Sequence, residues 1–325
     1  MKKISIITNR NMSEVNGSTA RPRWQVEGLK NNGFHDFQLV DQFDKTKLKD
    51  VSSTLIHAHQ FSARLLDKEK YFVDLHGLEY LQSRNLSRGY SFYSWKKYAF
   101  IAKSFFYKKV ETKLFKNAIH LICSGEDIFD RVRKIQNSTL IRNGVFLKNY
   151  RPSTSTDLRV ALVGPFIRGT INFDAIHLIK KTMQELPNIE FVLIGKTDDY
   201  FKNQLNFKNT KFLGVVDNYI EMLRSCSVLF SPYPKNAIYL GSKNKFLEAA
   251  ACEMPIITTS SGAIDFRKDL LLIGNNSNEL IELIKTMKNE NERKNLGKKL
   301  HFEIEKNYNA DVEIKKIIKL YEEYS

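Results

Sequence analysis

A lysine and a glutamate in the last third of the chain have the spacing of a small binding site. Lys245 and Glu248 stand three positions apart in the segment SKNKFLEAAACEMPII, so a helix would place them on neighbouring positions of one face. An apolar stretch and a loop with Gly241 and Ser242 precede them. A helix that begins after such a loop offers unpaired N–H groups and the positive end of its dipole to a phosphate. The pattern predicts either a nucleotide site, with the pair holding charge and ribose hydroxyls, or a solvated ion pair with Ser242 as an N-cap.

Three histidines accompany two apolar segments in the first half of the chain. His57 and His59 lie in LIHAHQ, and His76 directly follows YFVDL. Open α/β sheets bind ligands beyond the carboxyl ends of their strands, so we predict that His76 is a site residue. His57 and His59 alternate along one strand and are predicted to be structural, with His59 the better site candidate.

Two series of apolar strands alternate with helical segments. The first series covers residues 3–8, 37–40, 54–57, 71–75 and 118–123, and the second covers residues 159–163, 189–194, 210–212, 228–231, 255–258 and 271–273. Helices are predicted for residues 91–116, 173–185, 219–224, 242–252, 277–288 and 311–324. The polar segment 151–157 separates the series as a linker, and a glycine loop at residues 16–19 precedes the first helix. This order predicts an α/β protein with two mostly parallel sheets.

The charge and cysteine content narrow the class of protein. The 325 residues include 51 Lys and Arg against 36 Asp and Glu, a net charge of +15, which indicates a polyanionic neighbour: an anionic membrane, nucleic acid or phosphorylated substrates. The three cysteines form no CxxC pair, so we expect reduced core residues of a cytoplasmic protein. The start MKKISIITNR predicts a buried strand rather than a signal peptide, and no apolar run reaches the roughly 18 residues of a membrane span.

Segment 91–116 combines basic and aromatic residues in one long helical pattern. It carries seven lysines and nine aromatic residues, SFYSWKKYAFIAKSFFYKKVETKLFK. Such a composition is typical of a helix that lies on an anionic bilayer. The alternative is a helix that packs its aromatic residues on the sheet while its lysines extend to water. The helix carries more aromatic residues than one buried stripe holds, which speaks for the membrane interpretation. The packing interpretation stays open beside it.

Segments along nearly the whole chain, taken in order, resemble those of a group 1, retaining-type glycosyltransferase of the GT-B fold. They are Asn16-Gly17-Ser18, LIHAHQ at 55–60, VDLHGLEY at 73–80, LICSGE at 121–126, IRNGV at 141–145, LVGPFIRGTINFD at 162–174, VLIG at 192–195 and KFLEAAACEMPIIT at 245–258. The resemblance implies two Rossmann-like domains facing across a cleft, with acceptor held mainly by the first and donor by the second. It also implies chemistry without a metal or other cofactor. We expect domains at 1–152 and 153–307, and a terminal helix at 308–325 that packs back on the first domain.

Two positions depart from the family pattern. Glu248 matches the second glutamate of the family's Glu-x7-Glu motif, which accepts hydrogen bonds from ribose, but Leu240 stands where the first is expected. Pro165 stands where the family has an arginine that clamps the diphosphate. Arg168, with Lys243 or Lys245, could supply the charge instead.

The resemblance implies roles for the following residues. The catalytic residues are His76, Arg168 and Glu248. The donor-binding residues are Gly17, Gly164, Arg168, Gly195, Gly241, Ser242, Lys243, Asn244, Lys245 and Glu248. The acceptor-side residues are Asn16, Ser18, His59 and His76. No metal ligand is expected, and Asp198 and Asp199 are predicted to form a solvated turn rather than part of a DxD motif.

The predicted activity is that of a hexosyltransferase which moves a sugar from a nucleotide-diphosphate donor to a glycan or lipid-linked acceptor, with retention. Two other functions remain open: a DNA-base glycosyltransferase or nucleic-acid-binding protein of the same fold, and a non-catalytic partner subunit with a decayed donor site. No recognised DNA-reading motif is present, which makes nucleic acid the weaker alternative. The expected location is the cytoplasm, with peripheral contact on the inner face of the cell membrane through residues 91–116.

Overall fold

The computed structural model describes residues 3–8, 12, 17–44, 47–48, 51, 54–66, 70–88, 90–168, 170–235 and 237–325. The chain forms two compact units. The first comprises Met1–Gly144, Ile238–Asn244 and Tyr308–Ser325, and the second comprises Val145–Ala237 and Lys245–Asn307. The segment 238–244, which the sequence placed in the second domain, therefore belongs to the first unit.

The first unit is built on a parallel six-stranded sheet of order β2-β1-β3-β4-β5-β6. Its strands are β1 (Ile4–Thr8), β2 (Phe37–Asp41), β3 (Leu55–His59), β4 (Tyr71–Leu75), β5 (His120–Cys123) and β6 (Ser138–Leu140). Its helices are α1 (Gly17–Asn31), α2 (Glu79–Arg88), α3 (Trp95–Asn117), α4 (Glu126–Val132) and, from the end of the chain, α12 (Ala310–Tyr324). A 3-10 helix, Gln60–Leu65, follows β3.

Burial within this sheet follows the parallel architecture. Every residue of β1, β3, β4 and β5 is buried, whereas the edge strands β2 and β6 are mostly half-buried. Central strands of a parallel sheet are covered on both faces, which is why they read as continuous apolar runs. The helix α12 closes one face, and it can approach α1 closely because Gly28 lacks a side chain: a Cβ there would lie 2.9 Å from Ile314.

The second unit has its own parallel sheet, of order β12-β11-β10-β7-β8-β9. Its strands are β7 (Arg159–Val163), β8 (Glu190–Ile194), β9 (Thr210–Gly214), β10 (Val228–Ser231), β11 (Ile256–Thr258) and β12 (Leu272–Ile273). Its helices are α5 (Ile171–Asp174), α6 (Ile176–Gln184), α7 (Asp199–Leu205), α8 (Tyr219–Arg224), α9 (Asn244–Ala251), α10 (Ser277–Thr286) and α11 (Glu290–Asn307). The predicted α/β class with two parallel sheets is confirmed.

Two local predictions about polar segments were wrong. Asp198 and Asp199 begin a helix rather than a turn: the Asp198 carboxylate accepts the backbone N–H of Phe201 and caps α7, whereas the Asp199 side chain is 95% exposed to solvent as predicted. The acceptor satisfies an N–H that the first turn of a helix cannot pair internally. The predicted glycine loop at 16–19 is shorter, because α1 already begins at Gly17 and includes Ser18. Asn16 lies outside the described residues.

The helix α3 and the residues before it expose much of their aromatic surface. Tyr93 is 94% exposed, Trp95 74%, Phe105 66% and Phe106 61%. Leu114 and Phe115, near its end, pack into the core of the first unit. The aromatic residues therefore do not form one buried stripe. Within the described part of the chain, no helix combines the length and apolarity needed to cross a membrane.

Candidate active site

A buried carboxylate at the end of β4 organises the polar residues of the first unit. Asp74 accepts hydrogen bonds from Arg21 Nε at 2.5 Å, Gln25 Nε2 at 2.7 Å and His57 Nε2 at 3.1 Å. Burial alone would raise the pKa of Asp74, but the Arg21 guanidinium and the His57 hydrogen bond outweigh it and hold the pKa well below its usual range. Arg21 also donates from Nη1 to Asn143 Oδ1 at 2.6 Å. The network is anchored to α12, since His57 Nδ1 lies 2.5 Å from the Tyr321 hydroxyl.

Two histidines pair beside this network. His59 Nδ1 lies 2.8 Å from His76 Nε2, so one nitrogen donates and the other accepts. Burial lowers the pKa of His59 well below its usual value and that of His76 to about 4, although the Asp74 charge opposes both shifts. Both rings are therefore neutral at pH 7. His76 can offer a fixed hydrogen-bonding ring to a ligand, and His59 holds its orientation.

We expect the His76 ring to titrate with a midpoint near pH 4. Because its folded pKa lies below that of the unfolded chain, the unfolded state takes up a proton first as the pH falls through 6.5, and stability declines from there toward pH 4. The His76 Cε1–H chemical shift, assigned by comparison with His76→Gln, measures this midpoint. A midpoint near 6.5 would contradict the buried neutral pair.

The turn that carries His76 is held by two further contacts. With its amide oriented to satisfy its hydrogen bonds, Gln60 Oε1 accepts the backbone N–H groups of His76 at 2.8 Å and Gly77 at 2.9 Å. Gly241 approaches from the other side with φ of 66°, and a Cβ there would lie 2.2 Å from the His76 carbonyl oxygen. A side chain at position 241 is therefore excluded both by the left-handed backbone and by this close approach.

The segment 238–244 is bound to the carboxyl edge of the first sheet. Ser242 Oγ donates to the Ser124 carbonyl at 2.5 Å and accepts the Asn143 N–H at 3.2 Å. Asn143 Nδ2 donates to Asn244 Oδ1 at 2.7 Å. Ser242 thus tethers the segment within the first unit, and α9 begins two residues later at Asn244. Lys243, in the same segment, is 7% exposed.

In the second unit, two glycines lie side by side at the ends of β7 and β8. Gly195 has φ of 123°, and a Cβ there would lie 3.2 Å from Gly164 Cα. Asn172 supports the turn after Gly164 by donating from Nδ2 to the carbonyls of Val163 at 3.2 Å and Pro165 at 3.0 Å. The two turns therefore expose backbone at the strand ends where α/β sheets bind ligands.

Arg168 lies on the turn after β7. Its backbone N–H donates to Asp198 Oδ2 at 3.0 Å, and its guanidinium carbon lies 4.7 Å from the centroid of the Tyr200 ring. The N–H of Phe201 lowers the pKa of Asp198, and Arg168 adds to this effect. Arg168 is exposed, so its charge is held over Tyr200 but stays accessible to an anion.

Glu248 lies on α9 with a tyrosine as its partner. The Tyr219 hydroxyl donates to Glu248 Oε2 at 2.8 Å. Burial raises the pKa of Glu248, while the Tyr219 hydrogen bond and the nearby Lys245 charge oppose the shift. Lys245 Nζ lies 5.1 Å from the centroid of the Tyr233 ring. The alternative of a simple solvated Lys–Glu pair does not describe this carboxylate, which is half-buried and can accept further hydrogen bonds.

The predicted site residues fall into the two units. The first unit contains Gly17, Ser18, His59, His76, Gly241, Ser242, Lys243 and Asn244, and the second contains Gly164, Arg168, Gly195, Lys245 and Glu248. Sequence reasoning did not identify Arg21, Gln25, Asn143 or Tyr219. Of these, only Asn143 gave a signal in the sequence, as part of the segment IRNGV. Arg21 and Tyr219 lie on helices and look like ordinary surface residues in the sequence, so nothing there marked them as site residues.

One group of potential metal ligands occurs among the described residues: His57, His59 and Asp74, whose donor atoms lie within 4.8 Å of one another. The Asp74 carboxylate is already bonded by three donors, and one of them is the permanently charged Arg21. A metal cation bound to Asp74 would lie close to this guanidinium, and the two positive charges would repel each other. The group therefore fits a hydrogen-bonded network better than a metal centre.

Comparisons with known proteins agree with the folds of both units. Residues 157–289 match the family model for Glycosyl transferases group 1. No curated protein sequence shows a significant match to the chain. Among solved structures, the chain is similar to sucrose-phosphate synthase from Thermosynechococcus elongatus, with a TM-score of 0.79 and 16% identity over 100% of this chain and 99% of that chain.

Two other solved structures are similar over almost their whole length. HepE from Anabaena, in complex with UDP and glucose, has a TM-score of 0.70 and 12% identity, covering 99% of this chain and 100% of that chain. WaaG, a glycosyltransferase involved in lipopolysaccharide biosynthesis, has a TM-score of 0.71 and 12% identity, covering 98% and 99%. The predicted GT-B fold with two Rossmann-like domains is thereby confirmed.

Proposed function

We propose that this protein, whose residues 157–289 match the family model for Glycosyl transferases group 1, is a glycosyltransferase that transfers a hexosyl group from a nucleotide-diphosphate sugar to a glycan or lipid-linked acceptor. The nucleotide is held by the second unit, through the backbone turns at Gly164 and Gly195 and through Glu248. The structures of HepE and WaaG support this proposal, because the first contains UDP and glucose and the second is a glycosyltransferase involved in lipopolysaccharide biosynthesis.

The observation that carries the proposal is the Glu248 carboxylate. It is half-buried on α9, inside the matched domain, and the Tyr219 hydroxyl orients it at 2.8 Å. Ribose hydroxyls are donors that such a carboxylate can accept, and a hydrogen bond to a charged group contributes about 1.5–3 kcal/mol. Lys245, one turn earlier on the same helix, supplies positive charge for the diphosphate.

In the first unit, we assign a role in substrate binding to His76 and to the segment 241–244. The neutral His76 ring is suited to hydrogen-bond a sugar hydroxyl rather than to carry charge. We further propose transfer with retention, in which the leaving diphosphate helps to deprotonate the acceptor. This chemistry requires positive charge near the diphosphate, and Arg168 and Lys245 of the second unit would supply it without a metal.

We also propose that the enzyme works at the cytoplasmic surface of an anionic membrane. The net charge of +15 and the exposed aromatic residues of α3 support this location. The cysteines Cys123, Cys226 and Cys252 are free and buried, which fits a reducing compartment. Nucleic acid is not among the proposed partners, because the basic residues of α3 are interspersed with aromatic residues typical of a bilayer interface.

Replacing Glu248 by alanine should weaken nucleotide binding by about 10- to 150-fold, the change that corresponds to about 1.5–3 kcal/mol. Calorimetric titration measures this change in affinity. The ligand is whichever of UDP, GDP, ADP, TDP and the corresponding nucleotide sugars binds the wild type most tightly. The fold should remain intact, because alanine has the highest helix propensity. The control variant is Glu282→Ala, which removes an exposed glutamate from α10 of the same unit and should leave nucleotide affinity unchanged. Equal affinities of wild type and a folded Glu248→Ala protein would reject this donor site.

A further inference from the structure

The first unit contains a cavity of about 340 Å³ that the transfer reaction does not use. It lies between the 3-10 helix after β3 and the last turns of α3. Its apolar walls include Phe61, Leu66, Val110 and Leu114, and Phe61 stacks on Tyr107 with ring centroids 4.9 Å apart. The volume falls in the range of sites that hold small ligands, about 300–1,000 Å³.

The cavity has a basic rim. Arg64 reaches it from the 3-10 helix, and Lys109 and Lys113 reach it from successive turns of α3. All three residues are exposed to solvent. An apolar interior with three cations at its edge is complementary to a molecule with an apolar tail and an anionic head.

The position of the cavity separates it from the candidate active site. Its wall includes Tyr71, the first residue of β4, whereas His76 follows the last residue of that strand. Five residues of strand span about 16 Å. The cavity lining thus reaches the amino edge of the sheet and includes neither His59 nor His76, while substrates of α/β enzymes bind at the carboxyl edge.

We propose that this cavity binds one anionic lipid, with an acyl chain between α3 and the 3-10 helix and the phosphate headgroup against Arg64, Lys109 and Lys113, and thereby anchors the enzyme to a bilayer. The inference rests on the membrane contact of α3 proposed above and not on the transfer reaction. Phe106, which is 61% exposed at the rim, continues the apolar surface from the cavity toward the rest of α3. The lipid would therefore lie where the exposed aromatic residues already meet the membrane.

The first test uses monomeric amphiphiles below their critical micelle concentrations. Alkyl phosphates of 8, 10 and 12 carbons should bind with an affinity that rises about fourfold for each added methylene, which corresponds to about 0.8 kcal/mol. Alkylphosphocholines of equal length should bind more weakly, because their head carries no net charge. Isothermal titration calorimetry on the full chain measures both series. An affinity that does not depend on chain length would overturn the proposal.

The second test compares matched variants on α3. Lys109→Glu with Lys113→Glu should weaken dodecyl phosphate by at least about 25-fold, since each lysine near an anionic head contributes about fivefold. Lys96→Glu with Lys108→Glu changes the net charge equally, away from the cavity, and should leave this affinity within about threefold. Val110→Trp fills the cavity and should abolish binding, whereas Ala102→Trp on the same helix should not. Circular dichroism melting checks that each variant is folded.

Binding to vesicles of phosphatidylglycerol separates the cavity from the general membrane contact. If vesicles bind while dodecyl phosphate does not, or if Val110→Trp and Ala102→Trp bind dodecyl phosphate equally, the cavity is not the lipid site and the surface of α3 alone meets the membrane. If both lysine pairs weaken dodecyl phosphate equally, the effect is diffuse charge and the proposal is wrong. Nucleotide titration is independent of all these results, so a failed lipid site leaves the proposed transfer activity standing.

Discussion

Replacing Asp74 by alanine should lower the free energy of unfolding by about 3–5 kcal/mol, the cost of leaving one charge of a buried pair without its partner. Arg21 is 2% exposed and donates to Asp74 at 2.5 Å. Without the carboxylate, the guanidinium stays in a site that excludes water, and Gln25 and His57 lose their shared acceptor. A loss of this size is a large part of the 5–15 kcal/mol that stabilises a typical protein.

The loss of stability in Asp74→Ala should arise from the unpaired charge of Arg21 rather than from the lost volume of the Asp74 side chain. The double variant Arg21→Met with Asp74→Leu removes both charges and should cost less than Asp74→Ala alone, because buried pairs replaced together by apolar residues are often neutral. Asp130→Ala provides the control: Asp130 pairs with Arg133 at 3.1 Å on the exposed surface of α4 and should contribute at most about 1 kcal/mol. Urea unfolding curves measure all three. Equal losses for Asp74→Ala and Asp130→Ala would show that the buried pair has no special role.

The strands and helices differ in how well the sequence predicts them. Apolar runs predicted the central strands because parallel sheets bury both faces, and the pattern is visible without knowing the partners of each strand. The short edge strand β6 was not predicted, since Ser138–Leu140 is half-buried and carries no apolar run. The helix α7 was not predicted either, because Asp198 and Asp199 give the same signal in a turn and at a helix start.

The candidate site was less predictable than the fold. His76 and Glu248 could be proposed as site residues from the sequence because each follows or lies in a recognisable local segment. The contacts that orient them come from other parts of the chain: His59 lies 17 positions from His76, and Tyr219 lies 29 positions from Glu248. Spacing in the sequence carries no information about such partners.

A similar limit applies to the loop before α9. The sequence assigned Gly241 and Ser242 to the donor domain because they directly precede the helix with Glu248. The structure binds both residues to the first unit, through the close approach of Gly241 to the His76 carbonyl and the hydrogen bond of Ser242 to Ser124. Chain continuity alone therefore does not decide which unit a loop belongs to.

The other large effect should come from Glu111, a buried glutamate on α3. It is 2% exposed, and its Oε1 accepts the backbone N–H of Glu79 at 2.8 Å, while its Oε2 has no hydrogen-bond partner in the described part of the chain. Burial raises the pKa of Glu111 to about 8, although the N–H groups of Glu79 and Tyr80 oppose the shift. At pH 7 the folded protein therefore keeps a proton that the unfolded chain has released.

This difference in bound protons makes stability fall as the pH rises. The native state binds more protons than the unfolded state between the ordinary glutamate pKa of 4.5 and about 8, so the free energy of unfolding decreases across this window and levels off above it. At about 1.4 kcal/mol for each pH unit, the total loss is on the order of 5 kcal/mol.

Glu111→Gln keeps the acceptor oxygen for Glu79 but cannot ionise, so it should flatten the profile of stability against pH and stabilise the protein most at pH 8 and above. Urea unfolding from pH 4 to 9 tests this, with the exposed Glu322→Gln on α12 as the control that should follow the wild type. If Glu111→Gln keeps the wild-type slope, Glu111 does not hold its proton at neutral pH.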